Sequence, residues 1–90
     1  MSIVDDLADE LDDPLVRLDP PEVYDAAVVG YAHYKSTPVL VYDADLVIAQ
    51  KMKHDGDSYE DALEWHEFNT FSAWMGEGAP IFLWRMRHDS

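Results

Sequence analysis

The clearest structural signal in the chain is the segment of residues 38–56, PVLVYDADLVIAQKMKHDG. Its first five residues form a short apolar run that is rich in β-branched side chains, which predicts a strand. Asp43 follows as a helix N-cap, so we expect a helix over about residues 44–54. The pair Asp55-Gly56 predicts the end of that helix.

The C-terminal half predicts one long helix and a second strand. Ser58 and Asp61 resemble a capping box, with Asp in place of the usual Glu, at the start of a helix over about residues 59–75. The glycines in residues 76–78 predict its end. The apolar run over residues 81–86 predicts a last strand that can pair with the first. A lone pair of strands is marginal in water, so helices must cover it.

Two further helices are predicted before the first strand. Residues 3–13 place their apolar side chains in one arc and all six acidic side chains opposite, and Pro14 disfavours continuing that helix. Residues 22–34 also fit a helix. The segment of residues 26–31 is partly β-branched and contains Gly30, so a strand stays open as an alternative there.

These elements together predict a small α+β fold, in which three to four helices pack with a short two-stranded sheet. A length of 90 residues suits a single domain over residues 1–90. Within it, residues 1–19 form an acidic N-terminal helix and connector, and residues 20–90 form the α+β core.

The chain is strongly acidic, with 19 Asp and Glu residues against 6 Lys and Arg and a formal net charge of −13. This balance argues against direct binding to nucleic acid or anionic lipid. No apolar run is long enough to span a membrane, and acidic residues stand where a targeting signal would carry basic ones. We therefore expect a cytoplasmic protein that has no membrane partner.

The acidic residues are concentrated in two blocks, residues 1–25 and residues 55–84. In the predicted helix over residues 3–13, six carboxylates fall within about 17 Å, or one per roughly 3 Å, which is close to the charge spacing of a single nucleic-acid strand. Such a face suits a cationic groove of a protein partner. The predicted partner-binding residues are Asp5, Asp6, Asp9, Glu10, Asp12 and Asp13, followed by Glu60, Glu64 and Glu67.

The predicted long helix is apolar on two sides. Phe68, Phe71 and Met75 lie on the second side, and we expect either burial or a contact with a partner or a second copy there. His66 and Asn69 lie inside the main apolar arc. They are interpreted as buried polar groups bonded to local partners, with a small polar pocket as the alternative.

Signals for catalysis, metals and cofactors are weak. The absence of cysteine excludes disulfides, thiolate zinc sites and a cysteine nucleophile. No two histidines stand four residues apart, and no nucleophile elbow or glycine-rich phosphate loop is present. We therefore predict a protein that is not an enzyme and that has no cofactor and no metal site. A small hydrolase or metal protein that uses Asp43, Asp45 and His66 is the remaining alternative in this class.

Several short motifs resemble one family of short, uncharacterised bacterial and phage proteins. They are Tyr42-Asp43-Ala44-Asp45, Asp55-Gly56-Asp57-Ser58-Tyr59-Glu60-Asp61-Ala62, Phe68-Asn69 and Gly76-Glu77-Gly78-Ala79-Pro80-Ile81-Phe82. The resemblance covers about half of the chain. It implies a small cytoplasmic α+β domain, in the host cytoplasm if a phage encodes it, and it implies no reaction. Similar proteins usually carry an aromatic residue where His66 stands, and the acidic N-terminal helix lies outside the matched region.

Charge, size and this resemblance favour an acidic inhibitor that binds a host nucleic-acid-binding protein or complex. By nucleic-acid mimicry it would block a defence enzyme of the CRISPR or restriction type. The alternative is a small structural or accessory domain that is acidic for solubility or for high salt, and that can form a homodimer.

Overall fold

The computed structural model describes residues 4, 6, 15–72 and 78–86 of the chain. They form a small α+β domain, which confirms the predicted fold class. Its elements are α1 (Pro21–Tyr24), β1 (Val28–Tyr34), β2 (Thr37–Asp43), α2 (Ala44–Asp55), α3 (Tyr59–His66) and β3 (Ile81–Leu83).

The sheet has three strands in the order β1-β2-β3, so the predicted two-stranded sheet is wrong by one strand. β1 pairs antiparallel with β2, whereas β3 pairs parallel with β2. The last predicted strand ends early, at Leu83, because Leu83 pairs with Asp43. Asp43 is the last residue of β2, and the chain turns into α2 directly after it.

The additional strand, β1, replaces most of the helix that was predicted over residues 22–34. Only Pro21–Tyr24 is α-helical, a 3₁₀ turn follows at Asp25–Ala27, and the strand begins at Val28. The strand alternative was therefore correct from residue 28 onward. β-branched and aromatic side chains favour the extended backbone there, and a glycine in the middle weakens a helix.

A tight hairpin turn fixes the register of β1 and β2. Tyr34 pairs with Thr37, so only Lys35 and Ser36 lie in the turn. Both have positive φ angles, 51° and 68°, as the central residues of a type I′ hairpin turn require. The usual sequence signal for this turn is Asn-Gly or Asp-Gly, which explains why the hairpin was not predicted.

Both predicted N-caps are present. The Asp43 side chain accepts a hydrogen bond from the Leu46 backbone N–H at 3.2 Å, and Gly56, whose φ is 74°, caps the C-terminal end of α2. The Ser58 hydroxyl accepts a hydrogen bond from the Asp61 backbone N–H, also at 3.2 Å. These contacts satisfy helix-terminal N–H groups that have no partner within the helix.

Beyond α3 the chain continues through a π-helical turn at Glu67–Phe71. This turn closes wider hydrogen-bonded rings than an α-helix, so side chains after His66 no longer follow the 3.6-residue wheel. The later part of the predicted helix over residues 59–75, including Met75, lies outside the described residues.

The predicted N-terminal helix is described at two positions only. Val4 and Asp6 are both helical; Val4 is fully buried in the core and Asp6 is exposed. Asp5, Asp9, Glu10, Asp12 and Asp13 lie outside the described residues.

The core lies between β2, the helices and the segment that precedes α1. Leu40, Tyr42 and Val47 are fully buried in it, and Phe71 and Phe82 pack against it from the side. The Tyr42 hydroxyl accepts a hydrogen bond from the Leu18 backbone N–H at 2.9 Å, which ties the segment before α1 to the sheet. Among the described helices, none has the length and apolar character that a membrane span requires.

Candidate functional site

A polar group in the interior is centred on His66, the last residue of α3. Its side chain is only 1% exposed. The Nε2 atom lies 3.2 Å from the Tyr24 hydroxyl, and the Nδ1 atom lies 2.8 Å from the Thr70 hydroxyl. A neutral imidazole has one N–H, so it donates to one of these hydroxyls and accepts from the other. Both ring nitrogens are therefore satisfied.

The surroundings keep His66 neutral. Burial, with a smaller contribution from the nearby Lys51 ammonium, lowers the pKa of His66 from 6.5 to about 4. Burial also raises the pKa of Tyr24, so the phenol stays protonated. The row of hydroxyl, imidazole and hydroxyl thus carries no charge at neutral pH.

Next to His66 lies a group that we call the Lys51 cluster, which consists of Lys51, Asp55 and Asp57. The Lys51 ammonium pairs with the Asp55 carboxylate and lies 3.0 Å from an Asp57 carboxylate oxygen. Hydrogen bonds to both carboxylates raise the pKa of Lys51, and the bond from Lys51 lowers the pKa of Asp55. With one cation and two carboxylates, the cluster has a net negative charge.

A cleft of about 220 Å³ opens beside His66. Tyr24, His66 and Thr70 line its buried side. The remaining lining residues come from the segment before α1 and from α3 with its π-helical turn; they are Arg17, Leu18, Asp19, Trp65 and Asn69. The cleft combines a mostly buried polar wall with charged, amide and indole groups, so it offers a small molecule both hydrogen-bonding and stacking partners.

The structure separates the two residues that were predicted to be a buried polar pair. His66 is buried, as expected, and its partners are the Thr70 hydroxyl four residues along the chain and the distant Tyr24 hydroxyl. Asn69 is exposed, and its Nδ2 atom donates to the Trp65 carbonyl oxygen at 2.9 Å. The π-helical turn explains the difference, because it moves residue 69 away from the position that an α-helical wheel gives it. Both residues nevertheless line the same cleft, so features of both interpretations are present.

The acidic side chains of α3 and the turn after it form an exposed surface. We call it the acidic face, and it consists of Glu60, Asp61, Glu64 and Glu67. Within the part of the chain that the structure describes, no Lys or Arg pairs with any of these four carboxylates. Asp6 is also exposed.

The predicted apolar contact residues lie in different environments. Phe68 is 76% exposed. Phe71 is half-buried, and its ring packs against Phe82 at 5.0 Å and Trp84 at 5.5 Å between ring centroids. Of this predicted set, Phe68 is therefore the described residue that presents an aromatic surface to solvent.

The residues of the alternative metal or hydrolase site are not assembled. One Asp43 carboxylate oxygen caps α2, and the other lies 2.6 Å from the Arg85 Nε atom. Asp45 lies in the first turn of α2. Among the described residues, no group of three or more His, Asp or Glu side chains is placed to hold a metal ion.

Sequence reasoning did not find Arg17, Asp19 or Tyr24 as site residues. Tyr24 meets His66 across 42 positions of the chain, and no local pattern marks such a contact. Arg17 pairs with Asp25 in the 3₁₀ turn, with its Nε atom 3.4 Å from a carboxylate oxygen. For Arg17, the one available signal in the sequence was that it is the single basic residue in the acidic block of residues 1–25.

Comparison of the chain with protein-family models, with curated proteins and with solved structures gives no match. The resemblance to short bacterial and phage proteins therefore stays a prediction. The function is inferred below from the chain's own residues.

Proposed function

We propose that this protein is a non-enzymatic inhibitor that occupies the cationic nucleic-acid channel of a host protein by nucleic-acid mimicry. The proposed target is a defence enzyme of the CRISPR or restriction type, and the proposed source is a phage. The observation that carries the proposal is the acidic face, which is exposed and has no basic partner among the described residues.

The spacing of the acidic face supports mimicry. Four carboxylates lie between residues 60 and 67, which span about 10 Å of helix. That is roughly one negative charge per 3 Å, against one per about 3.4 Å along a single nucleic-acid strand. A groove that holds a phosphate backbone would meet a similar charge density.

Among the residues that the structure describes, no basic side chain compensates this face. Arg17, Lys51 and Arg85 already pair with carboxylates elsewhere in the fold. Glu60 and Glu64 stand four residues apart on one helix, a like-charge pair that destabilises a helix by about 0.2–0.5 kcal/mol. Glu60 and Asp61 also lie in the first turn of α3, where the helix dipole offsets this repulsion.

The physical consequence is fast, salt-sensitive association. A chain with a net charge of −13 is steered toward a positive channel, and screening by salt weakens that attraction. Nucleic acid and this protein would compete for the same surface.

The test is affinity capture from a bacterial host lysate at 50 and 500 mM salt (about one third and about three times physiological ionic strength), with and without added DNA or RNA. We expect a nucleic-acid-binding enzyme that is captured at low salt and is displaced by nucleic acid. The purified enzyme is then titrated with E60Q/E64Q and with E22Q/D45N, which change the net charge equally.

We expect E60Q/E64Q to bind at least tenfold more weakly than the unmodified protein, and E22Q/D45N to bind within about twofold. Equal losses of affinity in the two variants would mean that the net charge of the protein, and not the acidic face, determines binding. Binding that nucleic acid does not displace would contradict mimicry.

A second candidate is a small accessory domain that self-associates, and the exposure of Phe68 favours it. Sedimentation equilibrium tests whether the protein self-associates, as this second candidate requires. A dimer that F68S converts to a monomer would support the accessory domain, and a monomer at all concentrations would exclude it.

A further inference from the structure

The cleft beside His66 offers hydrogen-bond acceptors at its open side. Asn69 uses its Nδ2 atom on the Trp65 carbonyl oxygen, so its Oδ1 atom is the acceptor that the amide can offer to a ligand. Asp19 is exposed and adds a carboxylate. The Arg17 guanidinium, which also lines the cleft, is bound to the Asp25 carboxylate.

The charges around the cleft favour a cation. Arg17 and Asp25 cancel each other as an ion pair. His66 is neutral, the Lys51 cluster is net negative, and Asp19 adds one more negative charge. An anionic ligand would therefore be repelled, whereas a cationic ligand would be attracted.

The aromatic wall favours a planar cation. Trp65 is 47% exposed and lines the cleft. The Lys51 ammonium lies 4.7 Å from its ring centroid, so a ligand stacks on the part of the indole that is open to the cleft and not on the part that Lys51 covers. A guanidinium group is flat, carries five N–H donors and stacks on aromatic rings, whereas an ammonium is a compact point charge.

We propose that this cleft is a binding site for a guanidinium group, either the arginine side chain of a partner protein or a free arginine-like compound. Asp19 and the Asn69 Oδ1 atom accept its N–H groups, and Trp65 supports its plane. The volume of about 220 Å³ holds a guanidinium with its methylene stem.

This site goes beyond the proposed function and is independent of it. None of the four acidic-face residues lines the cleft. A protein that does not bind guanidinium could therefore still act by mimicry. Conversely, failure of the mimicry test would not contradict guanidinium binding in the cleft. If both hold, an arginine of the partner would be an anchor beside the acidic face, as buried arginines often are in interfaces.

The experiment is a titration of the purified protein at low salt, followed by NMR at the Trp65 indole N–H and the Asn69 side-chain amide. The probes are N-acetyl-arginine methylamide, free arginine and N-acetyl-citrulline methylamide. Citrulline has nearly the same shape as arginine and no charge, so it isolates the contribution of the cation.

We expect saturable shifts at both reporters with the arginine compounds and at least tenfold weaker binding of the citrulline compound. Stronger binding of the blocked arginine would identify a protein side chain as the source, and stronger binding of free arginine would identify a small compound. Equal binding of citrulline, or shifts spread over the whole surface without saturation, would overturn the proposal.

Two variants test the assigned residues. D19N should weaken binding of the blocked arginine at least tenfold, and N69A should weaken it severalfold. E22Q removes the same charge from an exposed residue that does not line the cleft, and it should bind within about twofold of the unmodified protein. Equal loss in D19N and E22Q would overturn the assignment of Asp19.

Discussion

The buried imidazole of His66 makes the stability of this protein depend on pH in a defined window. The unfolded chain takes up a proton at this histidine below about pH 6.5, whereas the folded protein does so only near pH 4. Between these values the unfolded state binds more protons, so stability falls as the pH falls. The contribution of the neutral imidazole is fully present above pH 6.5 and is lost by about pH 4.

The size of the effect follows from the pKa difference. Each pKa unit corresponds to about 1.4 kcal/mol, so a shift from 6.5 to about 4 amounts to about 3 kcal/mol of unfolding free energy over the whole window. At pH 5 the same two pKa values give a loss of about 2 kcal/mol. A domain of this size has on the order of 5–13 kcal/mol in total.

The assay is urea denaturation at pH 7, 6 and 5, followed by far-ultraviolet circular dichroism, for the unmodified protein and two variants. His66→Phe and His66→Gln both remove the titrating group, and glutamine retains polar atoms that can meet Tyr24 and Thr70. We expect both variants to be less stable at pH 7, and His66→Phe more so, because phenylalanine leaves both hydroxyls without a partner. A loss of stability that is the same at every pH does not change how steeply the unfolding free energy depends on pH, which is the quantity compared.

We expect the unmodified protein to lose about 2 kcal/mol more than either variant between pH 7 and pH 5. His33→Gln, at an exposed histidine of β1, should keep the full slope. Parallel stability curves for the unmodified protein and both His66 variants would refute the reasoning, since they would mean that the folded protein protonates His66 as readily as the unfolded chain.

Three further changes test the fold, each by the urea midpoint at pH 7. Tyr42→Phe should lower stability by about 1–3 kcal/mol, because the buried Leu18 N–H loses its acceptor; an unchanged midpoint would show that water replaces the hydroxyl. Asp43→Ala should lower stability by about 1–3 kcal/mol, because the cap of α2 and the ion pair with Arg85 are both lost. Asp43→Asn keeps an oxygen that can cap the helix, so it should lower stability less. Gly56→Ala should lower it by about 1–2 kcal/mol through backbone strain, since φ is 74° and no other group lies within 4 Å of the place that the new Cβ would take. Gly56→Asn should lose less, and equal losses would contradict that cause.

The elements that sequence predicted well are those with their signals in adjacent residues. β2 and α2 follow from an apolar run, a capping aspartate and a glycine in the left-handed conformation at residue 56. β1 was only the alternative to a helix, because its decisive contact is a turn at Lys35 and Ser36, which are uncommon residues for two positive φ angles. The parallel pairing of β3 depends on a contact between distant segments, and no local pattern encodes its direction.

Only the part of the cleft that α3 contributes could be predicted from the sequence. His66 could be recognised because a polar residue lies inside an apolar arc of α3. Asn69 was misplaced because the backbone widens after His66. Asp19 and Tyr24 carry no signal of their own, and Arg17 is marked only as a lone basic residue in an acidic block, since tertiary packing brings all three to α3.

The short parallel strand β3 has a consequence for the order in which the protein folds and opens. The β1–β2 hairpin has a two-residue turn, and hairpins of this kind form within microseconds. β3 has only three paired residues. Its pairing with β2 closes a loop that consists of residues 44–80, and the entropic cost of closing a loop grows with the logarithm of the loop length. β3 should therefore dock last and detach first. Amide hydrogens of Ile81–Leu83 would then exchange with solvent through local openings, while those of Leu40 and Tyr42 exchange only through global unfolding.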